Sequence, residues 1–104
     1  MKKIGIIVGS VRPGRVGKSI ADYVLSKSPN KAEVQYEIID LQEVNLPLLD
    51  EEIPAFQAKY QHQHTINWSN TIKGFDGFII VTPEYNYGYP ASLKNALDYL
   101  YHEW

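Results

Sequence analysis

The stretch "IGIIVGSVRPGRVGKSIADYV", residues 4–24, decides the fold. It opens with an apolar, β-branched run from Ile4 to Val8, closed by Gly9-Ser10. Such a run reads as a strand covered on both faces. A glycine-rich connection follows, and beyond it Ile20, Ala21, Val24 and Leu25 fall on one helical face, with Pro29-Asn30 ending the helix.

The rest of the chain repeats this alternation. Val34, Tyr36 and Ile38 alternate with Gln35 and Glu37, the pattern of a half-exposed strand near an edge. Residues 45–54 hold Pro47, Pro54 and the acidic run Asp50-Glu51-Glu52, and read as a loop. A second helix is expected over about residues 60–73, with Trp68 and Ile72 on one face. Phe78 to Val81 is a third strand, apolar throughout. After "TPEYNYGYP", residues 82–90, Leu93, Ala96, Leu97, Leu100 and Tyr101 mark a strongly amphipathic helix. Strands alternating with helices pair in parallel through right-handed crossovers. The alternating second strand suits an edge, which gives the order 2-1-3. The expected fold is therefore α/β, a flavodoxin-like three-layer sandwich whose ligand crevice lies beyond the carboxyl ends of strands one and three. The loops 9–19 and 82–90 leave those two ends and should face each other.

Composition narrows the function. A chain of 104 residues makes one small domain, and its net charge of −2 offers no bulk attraction to nucleic acid or to an anionic membrane. With no cysteine there is no disulfide, thiolate metal site or thiol nucleophile, which suits a reducing cytoplasm. Lys2 and Lys3 before the apolar run resemble the start of a signal peptide, but Arg12 ends the run too early. No stretch approaches the roughly 18 apolar residues of a membrane span. A cytoplasmic domain is expected.

The first loop carries an anion-binding character without a standard nucleotide pattern. A triphosphate loop needs glycine five places before the glycine of Gly17-Lys18-Ser19, and Arg12 stands there; Arg12 also breaks the dinucleotide pattern that Gly14 and Gly17 would complete. The physical case rests on the helix itself. Its first amides lack intrahelical partners and carry the positive end of the dipole. Ser10 and Ser19 add hydroxyls, and Arg12, Arg15 and Lys18 crowd three cations at a terminus whose dipole opposes them unless an anion joins. The competing reading is a glycine-rich connection with solvated charges.

The second loop sets Tyr85, Tyr87 and Tyr89 among Glu84, Asn86, Gly88 and two prolines. A rigid loop of this kind presents backbone donors and acceptors to the edge of a planar heterocycle, with rings beside its face. Tyrosines packing over helices or at a subunit interface are the alternative. "GSVRPGRVGKSIADYV" after the first strand and "VTPEYNYGYPASLKNALDYLYHEW" after the third, with Asp40-Leu41 closing the second, together resemble the NAD(P)H-dependent FMN reductase family. This flavodoxin-like group includes quinone, azo-dye and chromate reductases.

The resemblance implies FMN as cofactor, NADPH or NADH as co-substrate and a small-molecule electron acceptor. It places Ser10, Arg12 and the loop Arg15, Val16, Gly17, Lys18 and Ser19 at the FMN phosphate, and Pro83, Glu84, Tyr85 and Asn86 along the isoalloxazine and ribityl chain. Leu93 to Ala96 match a helix that seats this loop and often joins a dimer, so a homo-oligomer is expected, with no nucleic-acid or membrane partner. The family's protein groups position and polarise, so no catalytic side chain and no metal are expected. Relatives continue for about 70 to 80 residues beyond Trp104 to complete a five-stranded sheet. A chain ending there is expected to leave the third strand as an open edge that self-associates, and to bind FMN weakly. Two further readings stay open: a flavodoxin-like FMN-binding electron carrier, and an inactive fragment that needs a complementing chain. An Arg-Pro-Gly-Arg run in place of hydroxyls favours the reductase over the carrier.

His62 and His64 in "QHQH", and the acidic run at residues 50–52, read as solvated rather than as metal ligands. Asp40 resembles the ribose-binding acid of dinucleotide folds but lacks the glycine pattern that would support that role.

Overall fold

The computed structural model describes residues 1–29 and 33–104. Among these, β1 (Lys2–Val8), β2 (Val34–Asp40) and β3 (Gly77–Val81) form a parallel sheet in the order β2-β1-β3. The helices are α1 (Gly17–Lys27), α2 (Leu41–Val44), α3 (Gln63–Lys73) and α4 (Ala91–Asp98), with a 3-10 turn at Ala55–Gln57. The crossover from β1 to β2 and the return past β1 to β3 run in opposite directions. Right-handed connections therefore put α1 on one face of the sheet and α3 on the other.

The two faces are unequal. Ile6 and Val8 pack with Ala21 of α1, whereas Ile7 joins Ile39, Trp68, Ile72, Leu93 and Tyr99 in a larger core under α3 and α4. Ile6, Ile7 and Val8 are at most 1% exposed, as a central strand requires. Gly5 is needed for close approach: a Cβ there would stand 2.7 Å from Ile39 Cδ1 and 3.0 Å from the Phe78 ring.

Several expectations change. Of the α1 stripe, Ala21 is buried and Val24 half-buried, while Ile20 and Leu25 are exposed, because α1 meets the narrow sheet along one line only. β3 is the open edge expected of it, bordering β1 alone, but its faces are not covered as the apolar run suggested: Ile79 and Ile80 are 38% and 43% exposed. α3 starts at Gln63 rather than near residue 60. Asn30, the expected end of α1, lies outside the described residues. α2 was not anticipated, although Asp40 accepts from the Gln42 amide as its N-cap and Glu43 sits three residues on, a sequence signal for a helix start.

α4 ends at Asp98; beyond it Leu100 is buried as the stripe expects, but Tyr101 is exposed and Tyr99 is fully buried. Tyr99 and Asn95 hold the 45–54 loop against the core. The Tyr99 hydroxyl lies 2.9 Å from the Pro47 carbonyl and 3.1 Å from Asp50 Oδ1; the Asn95 amide donates to Pro47 at 2.8 Å and accepts from Leu49 N at 2.9 Å. Burial, then the Asp50 carboxylate, push the Tyr99 phenol up to about 12. Tyr99→Phe keeps the ring and removes the hydroxyl, so it should cost about 1 kcal/mol in urea unfolding. An unchanged midpoint would show that the hydroxyl contributes nothing to the clamp. Among the described residues no helix is long and apolar enough to cross a membrane.

Candidate functional site

β1 and β3 end in register, Val8 beside Val81, so the loops that follow leave the sheet together. Gly9 N donates to the Val81 carbonyl at 2.9 Å, and Ser92 at the start of α4 donates to the Gly9 carbonyl at 2.5 Å. A Cβ on Gly9 would stand 3.3 Å from that Val81 oxygen. The Ser10 and Tyr85 hydroxyls then meet across the gap at 3.3 Å. Between the loops is a pocket of about 140 Å³, walled by Ser10, Arg12, Arg15, Val16 and Gly17 on one side and Thr82, Pro83 and Tyr85 on the other. The expected facing of the two loops is thus present. Lys18, Ser19, Glu84 and Asn86 lie outside its wall, while Ile20, Val81 and Thr82 join it without having been anticipated. Pockets that enclose a cofactor-sized ligand start at about 300 Å³, so this one is too small to enclose such a ligand whole.

The charges are less free than their number suggests. Arg15 donates through Nη1 and Nη2 to both oxygens of Asp40, at 2.6 and 2.7 Å, and through Nη1 to the Ser10 carbonyl at 2.8 Å. Both side chains are largely buried. The paired guanidinium holds the Asp40 carboxyl below its ordinary value, against a desolvation that would raise it. Lys18 pairs with Asp22 one turn along α1, at 2.8 Å. The chain therefore supplies anions of its own to two of the three cations, which corrects the argument that the crowding alone demands an external one. Among the described residues Arg12 makes no ion pair.

The local backbone explains how Arg12 is presented. Arg15 N donates to the Arg12 carbonyl at 3.1 Å, closing a turn with Pro13 and Gly14 at its centre and Gly14 at φ +72°. Proline then glycine is the preference of a type II turn. No side chain caps α1 at Val16, so the amides of its first turn keep unmet hydrogen-bonding capacity at the pocket. The Ser19 hydroxyl donates back to the Val16 carbonyl at 2.8 Å, leaving its lone pairs as acceptors.

The second loop is a tight hairpin. Tyr85 and Gly88 exchange backbone hydrogen bonds of 2.8 and 3.0 Å around Asn86 and Tyr87, whose φ values are +53° and +67°. Two positive φ values define a type I′ turn, a strained state for tyrosine. Glu84 stabilises it by accepting from the Tyr87 amide at 2.5 Å. Tyr87 is wholly exposed and packs on nothing among the described residues, while Tyr85 and Tyr89 are partly exposed.

Two further features lie away from this pocket. An open cleft of about 280 Å³ lies between Val11, α2 and α4. Asp50, Glu51 and His62 converge with potential ligand atoms within 4.8 Å. Their hydrogen bonds are structural: Asp50 lies 2.9 Å from the His64 ring, and Glu51 accepts from the Gln61 and His62 amides, tying the 45–54 loop to the start of α3.

A parallel 2-1-3 sheet, with an uncapped helix N-terminus and a hairpin facing each other beyond β1 and β3, is the ligand-binding side of a flavodoxin-like domain. The chain belongs to the NADPH-dependent FMN reductase family, whose sequence model matches residues 2–104. It is 46% identical over 114 residues to the NAD(P)H-dependent FMN reductase LOT6 of Saccharomyces cerevisiae, covering 98% of this chain and 59% of that protein. The NAD(P)H-dependent FMN reductase C4B3.06c of Schizosaccharomyces pombe is also 46% identical, over 98% of this chain and 52% of its own length. A quinone reductase of Escherichia coli K12 is 33% identical over 90% of this chain and 47% of its own. The flavoenzyme FerB of Paracoccus denitrificans shares the fold, with a TM-score of 0.70 and 23% identity over 95% of this chain and 50% of that one. The chain spans about half the length of the curated relatives it matches.

Proposed function

We propose that residues 1–104 are one FMN-binding domain of an NAD(P)H-dependent flavin oxidoreductase. The observation that carries this is the unpaired Arg12 guanidinium beside the uncapped α1 terminus, in a pocket closed by Tyr85. That donor set fits a phosphate monoester: free amides, a cationic planar fork and the Ser10 hydroxyl. Ser10, Arg12 and the first α1 amides would meet the phosphate, carried by the loop from Arg15 through Val16, Gly17 and Lys18 to Ser19. Pro83, Glu84, Tyr85 and Asn86 would line the ribityl chain and ring, with the hairpin strain fixing their backbone.

When bound, FMN supplies the redox chemistry, accepting hydride from NADPH or NADH and returning two electrons to a small quinone-like acceptor. The chain's own residues bind and orient; none is assigned a proton-transfer role. In this reading the ring would rest on the hairpin surface, where a further segment or a second subunit would cover it; the small pocket volume supports this. The reading includes a homo-oligomer, for which the exposed Ile79 and Ile80 on the β3 edge offer apolar surface. It also includes a cytoplasmic setting, with neither nucleic acid nor membrane as partner.

Arg12→Ala tests the phosphate assignment. FMN binding should weaken by about 1.5–3 kcal/mol, the scale of a charge-assisted hydrogen bond, with riboflavin affected much less. Fluorescence titration with both ligands reads the difference. Equal losses would show that Arg12 does not meet the phosphate.

A further inference from the structure

The Arg15–Asp40 pair joins two segments that the cofactor reading treats separately. Asp40 ends β2 and caps α2 through the Gln42 amide at 3.0 Å. Arg15 lies in the first loop, and its guanidinium spans both Asp40 oxygens and the Ser10 carbonyl. Three of its donors are thereby spent inside the protein, and the side chain retains only 13% of its exposure against 4% for Asp40. A guanidinium in this state has little left to offer a ligand. Its contacts instead fix both ends of the turn that presents Arg12: Ser10 before it and Arg15 after it.

We infer that Arg15 is a positioning residue rather than a phosphate ligand, and that Asp40 is its obligatory partner. The two side chains brace the Ser10–Val16 loop so that Arg12 and the α1 amides converge on one anion. This inference deepens the proposed FMN site and rests on it.

The two possible roles of Arg15 predict opposite signs at Asp40. Were Arg15 a ligand restrained by a counter-ion, Asp40→Asn would release it and tighten FMN binding. As a brace, the same substitution loosens the loop and weakens binding. The geometry also predicts that Arg15→Lys fails to substitute, because an ammonium cannot span both carboxylate oxygens and the Ser10 carbonyl.

The test uses the full chain and titrates FMN and riboflavin against wild type, Arg15→Lys, Asp40→Asn and the double variant. The FMN-to-riboflavin affinity ratio should fall about tenfold in each single variant, and the double variant should fall little further, as for members of one network. A ratio that is unchanged while both affinities drop would mean a purely structural pair, and a ratio that rises in Asp40→Asn would make Arg15 a ligand. Either result overturns the inference. Amide hydrogen exchange without flavin separates this failure from failure of the FMN reading. Faster exchange over residues 11–18 in both single variants is expected even if no flavin binds, and unchanged exchange there would by itself overturn the brace.

Discussion

Trp68→Ala should destabilise the fold by about 3–5 kcal/mol, the range for removing a large buried aromatic. Trp68 is 1% exposed and sits in the larger core between α3, α4 and the sheet. Its loss opens a cavity that neighbouring groups cannot fill without moving helices. The indole also has a polar task. Its N–H donates to the Ala96 carbonyl at 2.9 Å, within the last turn of α4, where carbonyls lack intrahelical partners. Its ring further meets Trp104 edge-on, with centroids 6.3 Å apart. Trp68→Phe retains much of the packing and forfeits the hydrogen bond, so its loss should be smaller. Urea unfolding followed by circular dichroism measures both. A loss for Trp68→Ala below that of Trp68→Phe would contradict the cavity account.

Arg15→Ala should cost a comparable amount at neutral pH, about 3–5 kcal/mol, because it strands a buried carboxylate without its partner. The sign with pH follows from Asp40. Hydrogen bonding to Arg15 holds its folded-state pKa below the ordinary 3.8, the Gln42 amide and Lys18 acting in the same direction and desolvation opposing them. Glu43 lies near enough to add to the field at Arg15. A depressed acid stabilises the fold fully above its unfolded-state pKa, and that stabilisation is lost as pH falls through the folded value. The gap between wild type and Arg15→Ala should therefore be widest near neutrality and narrow as the pH drops below 3.8. Unfolding midpoints for both proteins, taken at neutral pH and at about pH 3, read this directly. A gap independent of pH would remove Asp40 ionisation from the explanation.

Much of this architecture was legible in the chain because single segments carry it. The unbroken run Ile6-Ile7-Val8 identifies a central strand, and the alternation around Tyr36 identifies an edge, so strand order and the meeting of the two loops follow from local pattern. What was not legible depends on partners far apart in sequence. Nothing near Arg15 signals that its counter-ion lies 25 residues away at the end of β2. Arg15 therefore looks free along the loop, whereas the Lys18–Asp22 pair, four residues apart on α1, was open to reading from the sequence. Tyr99 shows the same limit: its burial follows from α4 ending at Asp98 and from a polar clamp onto Pro47, neither of which helical periodicity encodes. The edge position of β3 was expected, but the exposure of Ile79 and Ile80 depends on how far the helices reach across its faces, which an apolar run does not encode. The hairpin at Asn86-Tyr87 was recognisable as a rigid loop, but its left-handed tyrosine contradicts residue preference and is held by Glu84.

The central claim is that FMN docks at the junction of the two loops, phosphate first. Amide chemical shifts of the nitrogen-15-labelled chain, recorded during addition of FMN and then of riboflavin, test it most directly and register weak binding as well as strong. The account predicts FMN-dependent shifts concentrated in residues 10–19 and 82–89, with riboflavin reproducing the second group and sparing the first. Shifts confined to the cleft between Val11, α2 and α4, or an identical pattern for the two ligands, would contradict it.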